Sequence, residues 1–249
     1  MSEPDHGRPT AGAELLWGLR EQATRGVRPA LSLPAIARAA IEIADVDGID
    51  AISMQRVAAA LNVTKMALYR YVTSKAELIA VMTETAVGEP PDLSAIAGWR
   101  PKLEEYANQL RATWQRHPWI PGVTVGNRFM GPQEVGWVEA AVRALSGTGL
   151  SGGEQMDAAF LLSAHVRNVQ SSAGTHPWTS EGRLSPSVTE FMRRDRARFP
   201  ALIAAGEAAN GARHDNGWEF GLQRILDGLE LFIDRRRSEV SADGQRRPR

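Results

Sequence analysis

The sequence predicts an all-α fold, and three observations support that prediction. Apolar residues recur with a period near 3.6 in almost every segment beyond residue 30, as at Ile36, Ala40 and Ile43. No segment shows the alternation of apolar and polar residues that a half-buried strand requires. Gly and Pro residues interrupt the periodic segments at helix-like intervals, as at Gly131-Pro132. We therefore expect helices joined by short turns.

The composition sets the broad class of the chain. Its 249 residues, 43% hydrophobic and 23% charged, supply enough apolar material for a sizeable core. The absence of cysteine excludes disulfides and thiolate metal sites, and the five histidines match no standard metal spacing. Residues 1–10 lack the apolar core of a signal peptide, and no run approaches the roughly 18 apolar residues of a membrane span. We expect a cytoplasmic protein with no cofactor, metal or membrane partner.

Two helical domains with less ordered ends are expected. Gly88-Glu89-Pro90-Pro91 is the clearest linker in the chain. It divides a small domain at 31–87 from a larger one at 92–238. Residues 1–30 are expected to form a flexible basic arm, in which 13–23 can form a short helix, and residues 239–249 a disordered basic tail. Helices of the larger domain are predicted at about 99–116, 132–146, 153–173, 187–207 and 216–237.

The small domain contains four predicted helices, each preceded by a residue that caps helices well. They are Leu33–Asp45 after Ser32, Met54–Leu61 after Ser53, Lys65–Tyr71 after Thr64, and a fourth from Ser74 to about Val87. Ser74 and Glu77 have the spacing of a capping box. Asn62-Val63 is expected to form the tight turn between the second and third helices, because asparagine tolerates left-handed backbone angles.

This spacing of short helices is typical of a helix-turn-helix, whose last helix enters the major groove of DNA. Leu68 and Val72 are four residues apart and are expected to face inward. The open side of the third helix then carries two tyrosines, a lysine and an arginine, which contact with a partner explains better than stability does. From Ser53 to Lys75 the charged residues are all basic, although the net charge of the chain is zero. Phosphate binding requires such a local excess of positive charge.

Other function classes remain open at this point. Any amphipathic helix pair with a polar turn has a similar pattern. An enzyme is disfavoured, because the sequence contains no Gly-x-Ser-x-Gly, His-Glu-x-x-His or phosphate-loop motif. An all-α scaffold that binds proteins is a third class, but it has no need of the acid-free basic run.

The stretch from Gly48 to Ala58, with Leu61-Asn62-Val63-Thr64, Leu68-Tyr69-Arg70-Tyr71-Val72 and Ser74-Lys75-Ala76-Glu77-Leu78, closely resembles the N-terminal domain of the tetracycline-repressor (TetR) family. The match covers roughly residues 32–82. One departure is Asn62, where the family usually has Gly. The resemblance implies a recognition helix at about 64–71. The DNA-binding residues that it implies are Met54, Gln55, Thr64, Lys65, Met66, Ala67, Tyr69, Arg70, Tyr71 and Lys75.

The C-terminal part is similar, more loosely, to the ligand domains of the tetracycline-repressor subclass, through His117-Pro118-Trp119, Gly131-Pro132 and Phe220-Gly221-Leu222. This similarity implies a homodimer in which the helices at 153–173 and 216–237 pack against their symmetry mates. It also implies a small-molecule effector, and an apolar or aromatic compound is one option that the sequence leaves open. The candidate ligand-binding residues are Trp119, Asn127, Trp137, His165, Asn168 and Trp178. Thr124 falls where the tetracycline repressor has a magnesium-linked histidine, so a metal-chelated tetracycline is not expected.

The function that the resemblance implies is that of a repressor, which binds a palindromic operator in double-stranded DNA as a homodimer and is released by its effector. The basic arm, with Arg20, Arg25 and Arg28, is expected to reach the adjacent minor groove. Deletion of residues 1–28 should then weaken operator binding in a titration, and unchanged affinity would contradict that role.

Overall fold

The structure, a computed structural model, describes residues 11–19, 31–126, 128–171, 186–209 and 217–246. These residues form α-helices and one 3-10 turn, Ile49–Ala51, and they contain no strand, which confirms the all-α prediction. The helices are α1 (Ala11–Leu16), α2 (Leu33–Asp47), α3 (Met54–Ala60), α4 (Lys65–Tyr69), α5 (Lys75–Val87), α6 (Trp99–Arg116), α7 (Ile120–Val123), α8 (Pro132–Ala144), α9 (Gly152–Ser171), α10 (Pro186–Arg194), α11 (Pro200–Ala209) and α12 (Gly217–Arg246).

The four predicted caps of the N-terminal helices are present. Each hydroxyl accepts a hydrogen bond from the backbone N–H three residues ahead, which satisfies a donor that has no partner inside the helix. The capping residues are Ser32 (3.3 Å), Ser53 (3.2 Å), Thr64 (3.2 Å) and Ser74 (3.1 Å). Residues close in sequence thus define where each helix begins.

The turn between α3 and α4 depends on Asn62. It is the one non-glycine residue with positive φ among the described residues, at 53°. Asparagine reaches this left-handed region at lower cost than most residues with a side chain. Asn62, which stands where the family usually has Gly, therefore keeps the predicted tight turn.

Around this turn the helix-turn-helix has a continuous core. α2 packs against α3 and α5, and α3 packs against α4. Val57 from α3, Leu68 from α4 and Val72 have no exposed side-chain surface. The inward direction predicted for Leu68 and Val72 is confirmed.

The described chain divides into two compact units. One contains Met1–Ala95 with Ala112–Ala140, and the other contains Ile96–Arg111 with Ala141–Arg249. The second unit is built on the packing of α9 against α12, with Leu162, Val166 and Leu226 buried. This division follows contacts within the chain, and the domain boundary at residues 88–91 stays a prediction.

Three of the predicted helices differ clearly from the observed ones. The single helix expected at 187–207 is two helices, α10 and α11, because Pro200 starts a new helix and disfavours the helical conformation of the residue before it. α12 continues to Arg246, so that residues 239–246 are helical rather than disordered, since extending an existing helix needs no new nucleus. α1 begins at Ala11 and ends at Leu16, ahead of Gly18 with φ of 66°. None of the helices within the described ranges is long and apolar enough to cross a membrane.

The Asn62 turn gives a first test of the fold. Asn62→Ala should lower the free energy of unfolding by about 1 kcal/mol, because a methyl group opposes the left-handed conformation without offering a polar partner. Asn62→Gly should keep or slightly raise it. Urea unfolding of both variants measures the difference, and equal stability of the Ala and Gly variants would contradict the strained turn.

Candidate nucleic-acid interface and its junctions

The candidate interface is the exposed side of α4. Thr64 caps the helix, and Leu68 anchors its opposite side in the core. Lys65, Met66, Tyr69 and Arg70 are exposed, and Met66 exposes 73% of its surface. A five-residue helix with so little buried surface is held by its cap and by one leucine. Its cationic and phenolic groups remain available to an external partner.

Neighbouring elements extend this exposed surface. Gln55 on α3 and Lys75 at the start of α5 are exposed, as is Thr64, whereas Ala67 is half-buried. Arg56 is also exposed, but it forms an ion pair with Asp47. The unpaired positive charge of the segment is therefore concentrated on α4 and the start of α5 rather than on α3.

Two of the predicted DNA-binding residues have internal roles in the structure. Met54 exposes 8% of its surface and belongs to the core. The Tyr71 hydroxyl donates a hydrogen bond to the carbonyl oxygen of Leu31, at 2.9 Å, and so ties the end of the recognition segment to the residue that precedes α2. The sequence could not reveal this partner, because it lies 40 positions away.

Two clusters fasten the N-terminal helices to the segment 112–140, which belongs to the same compact unit. In the first, the Asp45 junction, Asp45 near the end of α2 accepts hydrogen bonds from His117 and Trp119. The His117 Nδ1 atom lies 2.9 Å from one carboxylate oxygen, and Trp119 Nε1 lies 2.7 Å from the same oxygen. Trp119 is buried. One carboxylate thus joins α2 to the turn between α6 and α7.

The second cluster, the Glu84 junction, joins α5 to the start of α8. The Glu84 carboxylate accepts hydrogen bonds from the backbone N–H groups of Gln133, at 2.6 Å, and Glu134, at 3.3 Å. These N–H groups belong to the first turn of α8 and have no partner within the helix. The positive end of the helix dipole also favours a carboxylate at this place. Glu84 therefore caps α8 from another element.

Residue 131 must be small for this cap to form. A Cβ atom at Gly131 would overlap the Glu84 carboxylate group. The side chain of Glu134 is itself buried and is held by both terminal nitrogens of Arg128, one of them at 2.8 Å. Two carboxylates thus lie at one junction, with Arg128 as the cation beside them.

Burial is the main influence on the ionisation of Glu84. Loss of solvent raises the pKa of its carboxyl group above the ordinary 4.5, and the nearby charge of Glu134 acts in the same direction. The two backbone hydrogen bonds and Arg128 lower the pKa, but by less. The protonated form is accordingly favoured in the folded protein relative to the unfolded chain.

The predicted ligand-binding residues have varied environments. Trp137 is buried and donates its indole N–H to the carbonyl oxygen of Gly88, at 3.2 Å, so that it, like Trp119, has a partner beside the N-terminal helices. His165 stacks on Trp218 and binds its carbonyl oxygen, at 3.0 Å. Asn168 is exposed on α9. Asn127 and Trp178 lie outside the described residues.

In the second unit, polar groups are buried among aromatic rings. The Tyr106 hydroxyl lies 3.2 Å from that of Ser163, and the Arg111 guanidinium lies 4.7 Å from the centre of the Trp218 ring. Burial raises the pKa of Tyr106.

No group of three or more His, Cys, Asp or Glu side chains is placed to hold a metal ion in the part of the chain that the structure describes.

The Glu84 junction predicts a specific pH dependence. Because the pKa of Glu84 is raised on folding, its contribution to stability is fully present below about pH 4.5 and is lost as the pH rises through the folded-state pKa. Unfolding free energies of the parent and of Glu84→Gln should therefore diverge in favour of the parent as the pH falls from about 7. Urea unfolding across this range tests it, with Glu89→Gln, an exposed position, as the matched control. A parent-to-variant difference that is constant with pH would contradict the buried cap.

Residues 36–82 match the family described as bacterial regulatory proteins, tetR family, and residues 91–233 match the tetracyclin repressor-like C-terminal domain. The HTH-type transcriptional repressor DrrR1 of Streptomyces coeruleorubidus is 34% identical over 238 residues, which cover 91% of this chain and 87% of that protein. An HTH-type transcriptional regulator of Saccharopolyspora erythraea is 24% identical over 215 residues, 86% of this chain and 90% of that protein.

Solved structures agree on the fold. Apo ActR from Streptomyces coelicolor has a TM-score of 0.70 at 20% identity, covering 84% of this chain and 99% of ActR. ActR in complex with actinorhodin has a TM-score of 0.65 at 23% identity, covering 82% and 96%. At these identities the likeness shows the fold alone, whereas the two family matches and DrrR1 cover most of the sequence. The chain belongs to the TetR family of transcriptional regulators.

Proposed function

We propose that this protein is a homodimeric, ligand-responsive transcriptional repressor, which binds a palindromic operator and is released from it by a small-molecule effector. The observation that carries the proposal is the capped, anchored α4, whose exposed side is basic and phenolic without an acidic residue. Proteins of this family that resemble it are named repressors. Catalysis has no part in the proposal, and we place the protein in the cytoplasm with its DNA.

On DNA, the exposed residues have separate roles. Lys65 and Arg70 supply cationic groups for guanine edges and phosphates, and Arg can bind guanine O6 and N7 together. Tyr69, Thr64 and Lys75 suit phosphate oxygens, which fix the register of the helix on the duplex. Gln55 extends the contact from α3, and Met66 and Ala67 offer apolar contacts to thymine methyl groups. Met54 and Tyr71 position this surface from inside.

Dimerisation uses exposed apolar residues on α9 and α12. Leu161 exposes 52% and Leu231 62% of its surface, and Phe160 and Phe232 are exposed beside them in sequence. Large apolar side chains exposed on neighbouring helices are unfavourable on the surface of a monomer. A two-fold interface removes the same patch from water on both protomers. Two-fold symmetry also presents two α4 helices to the two halves of a palindrome.

The effector is a small molecule held by the C-terminal domain. The complex of ActR with actinorhodin supports this class of ligand for a protein of the same fold. Asn127, Asn168 and Trp178 stay our candidate contacts. Trp119, Trp137 and His165 also stay candidate contacts, and their polar groups bind Asp45, Gly88 and Trp218 within the fold.

Effector binding must change the DNA-binding helices through contacts that differ between two states. The Asp45 and Glu84 junctions are suited to this, since each joins an N-terminal helix to the segment 112–140. We propose that both junctions are closed in the state that binds DNA, and that effector binding favours a state in which the 117–134 segment has moved relative to its partners on α2 and α5.

The first test is a salt-series titration against the DNA that flanks the protein's own gene. Changing Lys65, Tyr69 and Arg70 together to Ala should weaken binding by about 100-fold or more, and should lower the salt slope by up to about 4, because each of the two protomers loses two cationic contacts. Arg193→Ala with Arg194→Ala, an exposed pair on α10, is the control. Selective binding by the parent that the triple change leaves intact would contradict the assignment of α4.

A second test concerns the dimer. Leu161→Arg should shift the chain from dimer to monomer at micromolar concentration, because it places an unpaired charge in the interface. Analytical ultracentrifugation gives the mass directly. Val46→Arg, at a highly exposed apolar position on α2, is the matched control and should leave the dimer intact. A monomeric parent, or a Leu161→Arg dimer, would overturn the proposed interface.

A further inference from the structure

The N-terminal helix α1 precedes the helix-turn-helix and makes contacts of its own. It lies outside both ranges that match the family, 36–82 and 91–233. It nevertheless packs against α5 within the same compact unit. α1 is therefore a docked segment of the N-terminal unit.

Three residues on α1 and just beyond it make the docking contacts. Leu15 exposes only 7% of its surface. Gly12 lies against the ring of Phe129, where a Cβ atom would come within 2.9 Å. Trp17 donates its indole N–H to the carbonyl oxygen of Met130, at 3.1 Å. α1 therefore contacts both α5 and the two residues that precede Gly131.

The docking is what keeps α1 helical. A helix of six residues is far too short to be stable in isolation, because its nucleation cost exceeds the gain from so few hydrogen bonds. Its end is well formed, since the Leu19 N–H donates to the Glu14 carbonyl oxygen at 2.8 Å while Gly18 adopts positive φ. The free energy that orders α1 thus comes from its contacts with α5 and with Phe129 and Met130.

These contacts join the same two elements that the Glu84 junction joins. Glu84 lies on α5, and its carboxylate fits against Gly131 and the first N–H groups of α8. Phe129 and Met130, which α1 holds, are adjacent to Gly131 in the chain. When the segment 128–134 separates from α5, the contacts of α1 with one side or the other must break.

We propose that α1 is an intramolecular clasp, which holds α5 and the segment 128–134 together and so keeps the Glu84 junction closed. The clasp sets how often the junction opens without any ligand. Its consequence for operator binding rests on the proposed function: if the closed junction is the DNA-binding state, loosening the clasp weakens operator binding and lowers the effector concentration needed for release.

The amide N–H groups of Gln133 and Glu134 report the clasp directly. They have no partner inside α8, so that Glu84 provides their protection from hydrogen exchange. Exchange should be measured at single-residue resolution on the full-length protein without DNA or effector. Deletion of residues 1–28 is less informative, because it removes α1 and the basic arm together.

Two variants separate the contacts of the clasp. Leu15→Ser removes the buried side chain and should speed exchange at Gln133 and Glu134 by about tenfold. Trp17→Phe keeps an aromatic ring but removes the hydrogen bond to the Met130 carbonyl oxygen. It should speed exchange by up to about fivefold. Leu19→Ala, at an exposed side chain just after α1, is the control and should leave the rates unchanged.

The outcomes discriminate clearly. Faster exchange at Gln133 and Glu134 in both variants, with unchanged exchange in the α9–α12 core, supports the clasp. Unchanged exchange at these two amides in Leu15→Ser would overturn it, and so would a uniform rise across the whole protein, which indicates general destabilisation. Operator titration of the same variants is a separate arm: if the parent binds no operator, the proposed function fails while the exchange result still decides the clasp.

Discussion

The capping of α8 by Glu84 couples α5 to the segment 112–140 through two backbone hydrogen bonds. A helix start needs partners for its first N–H groups, and α8 takes them from α5 rather than from its own sequence. The arrangement requires a residue without a side chain at Gly131 and removes a carboxylate from water, which raises its pKa. Without the α8 amides, the Glu84 carboxylate would be desolvated with no hydrogen bonds to compensate. The cap is therefore favourable only when both amide hydrogen bonds are formed.

Helix α5 connects this cap to the candidate interface. α5 carries Glu84 near one end, and at its other end Ser74 and Glu77 form the cap that follows the recognition segment. There, Glu77 accepts a hydrogen bond from the Thr73 N–H at 2.7 Å, close to the buried Val72. Because α5 moves as one helix, a displacement of its Glu84 end also displaces the end that carries Ser74 and Glu77. Asp45 gives α2 a similar link to the turn at 117–119.

The sequence predicts what depends on near neighbours and misses what depends on distant ones. Capping hydroxyls act over three residues and Asn62 acts on its own backbone, so both could be read from the chain. Asp45 and His117 are 72 positions apart, and no local pattern identifies them as partners. The sequence predicts ligand contacts for Trp119 and Trp137, because large aromatic side chains commonly line pockets. That their indole N–H groups bind Asp45 and the Gly88 carbonyl oxygen is visible only in the three-dimensional structure, and the ligand contacts stay a prediction.

In the proposed mechanism, the Asp45 and Glu84 junctions set the position of the recognition helices. The chain contains no cysteine, so Ala60→Cys on the exposed end of α3 gives one spin-label site in each protomer. Double electron–electron resonance then measures the distance between the two labels of the dimer. We expect one narrow distance distribution in this background, a broadened or shifted one when Asp45→Ala or Glu84→Ala is added, and no change with Glu89→Ala. An equally narrow and unshifted distribution in both junction variants would show that the recognition helices are positioned by something else.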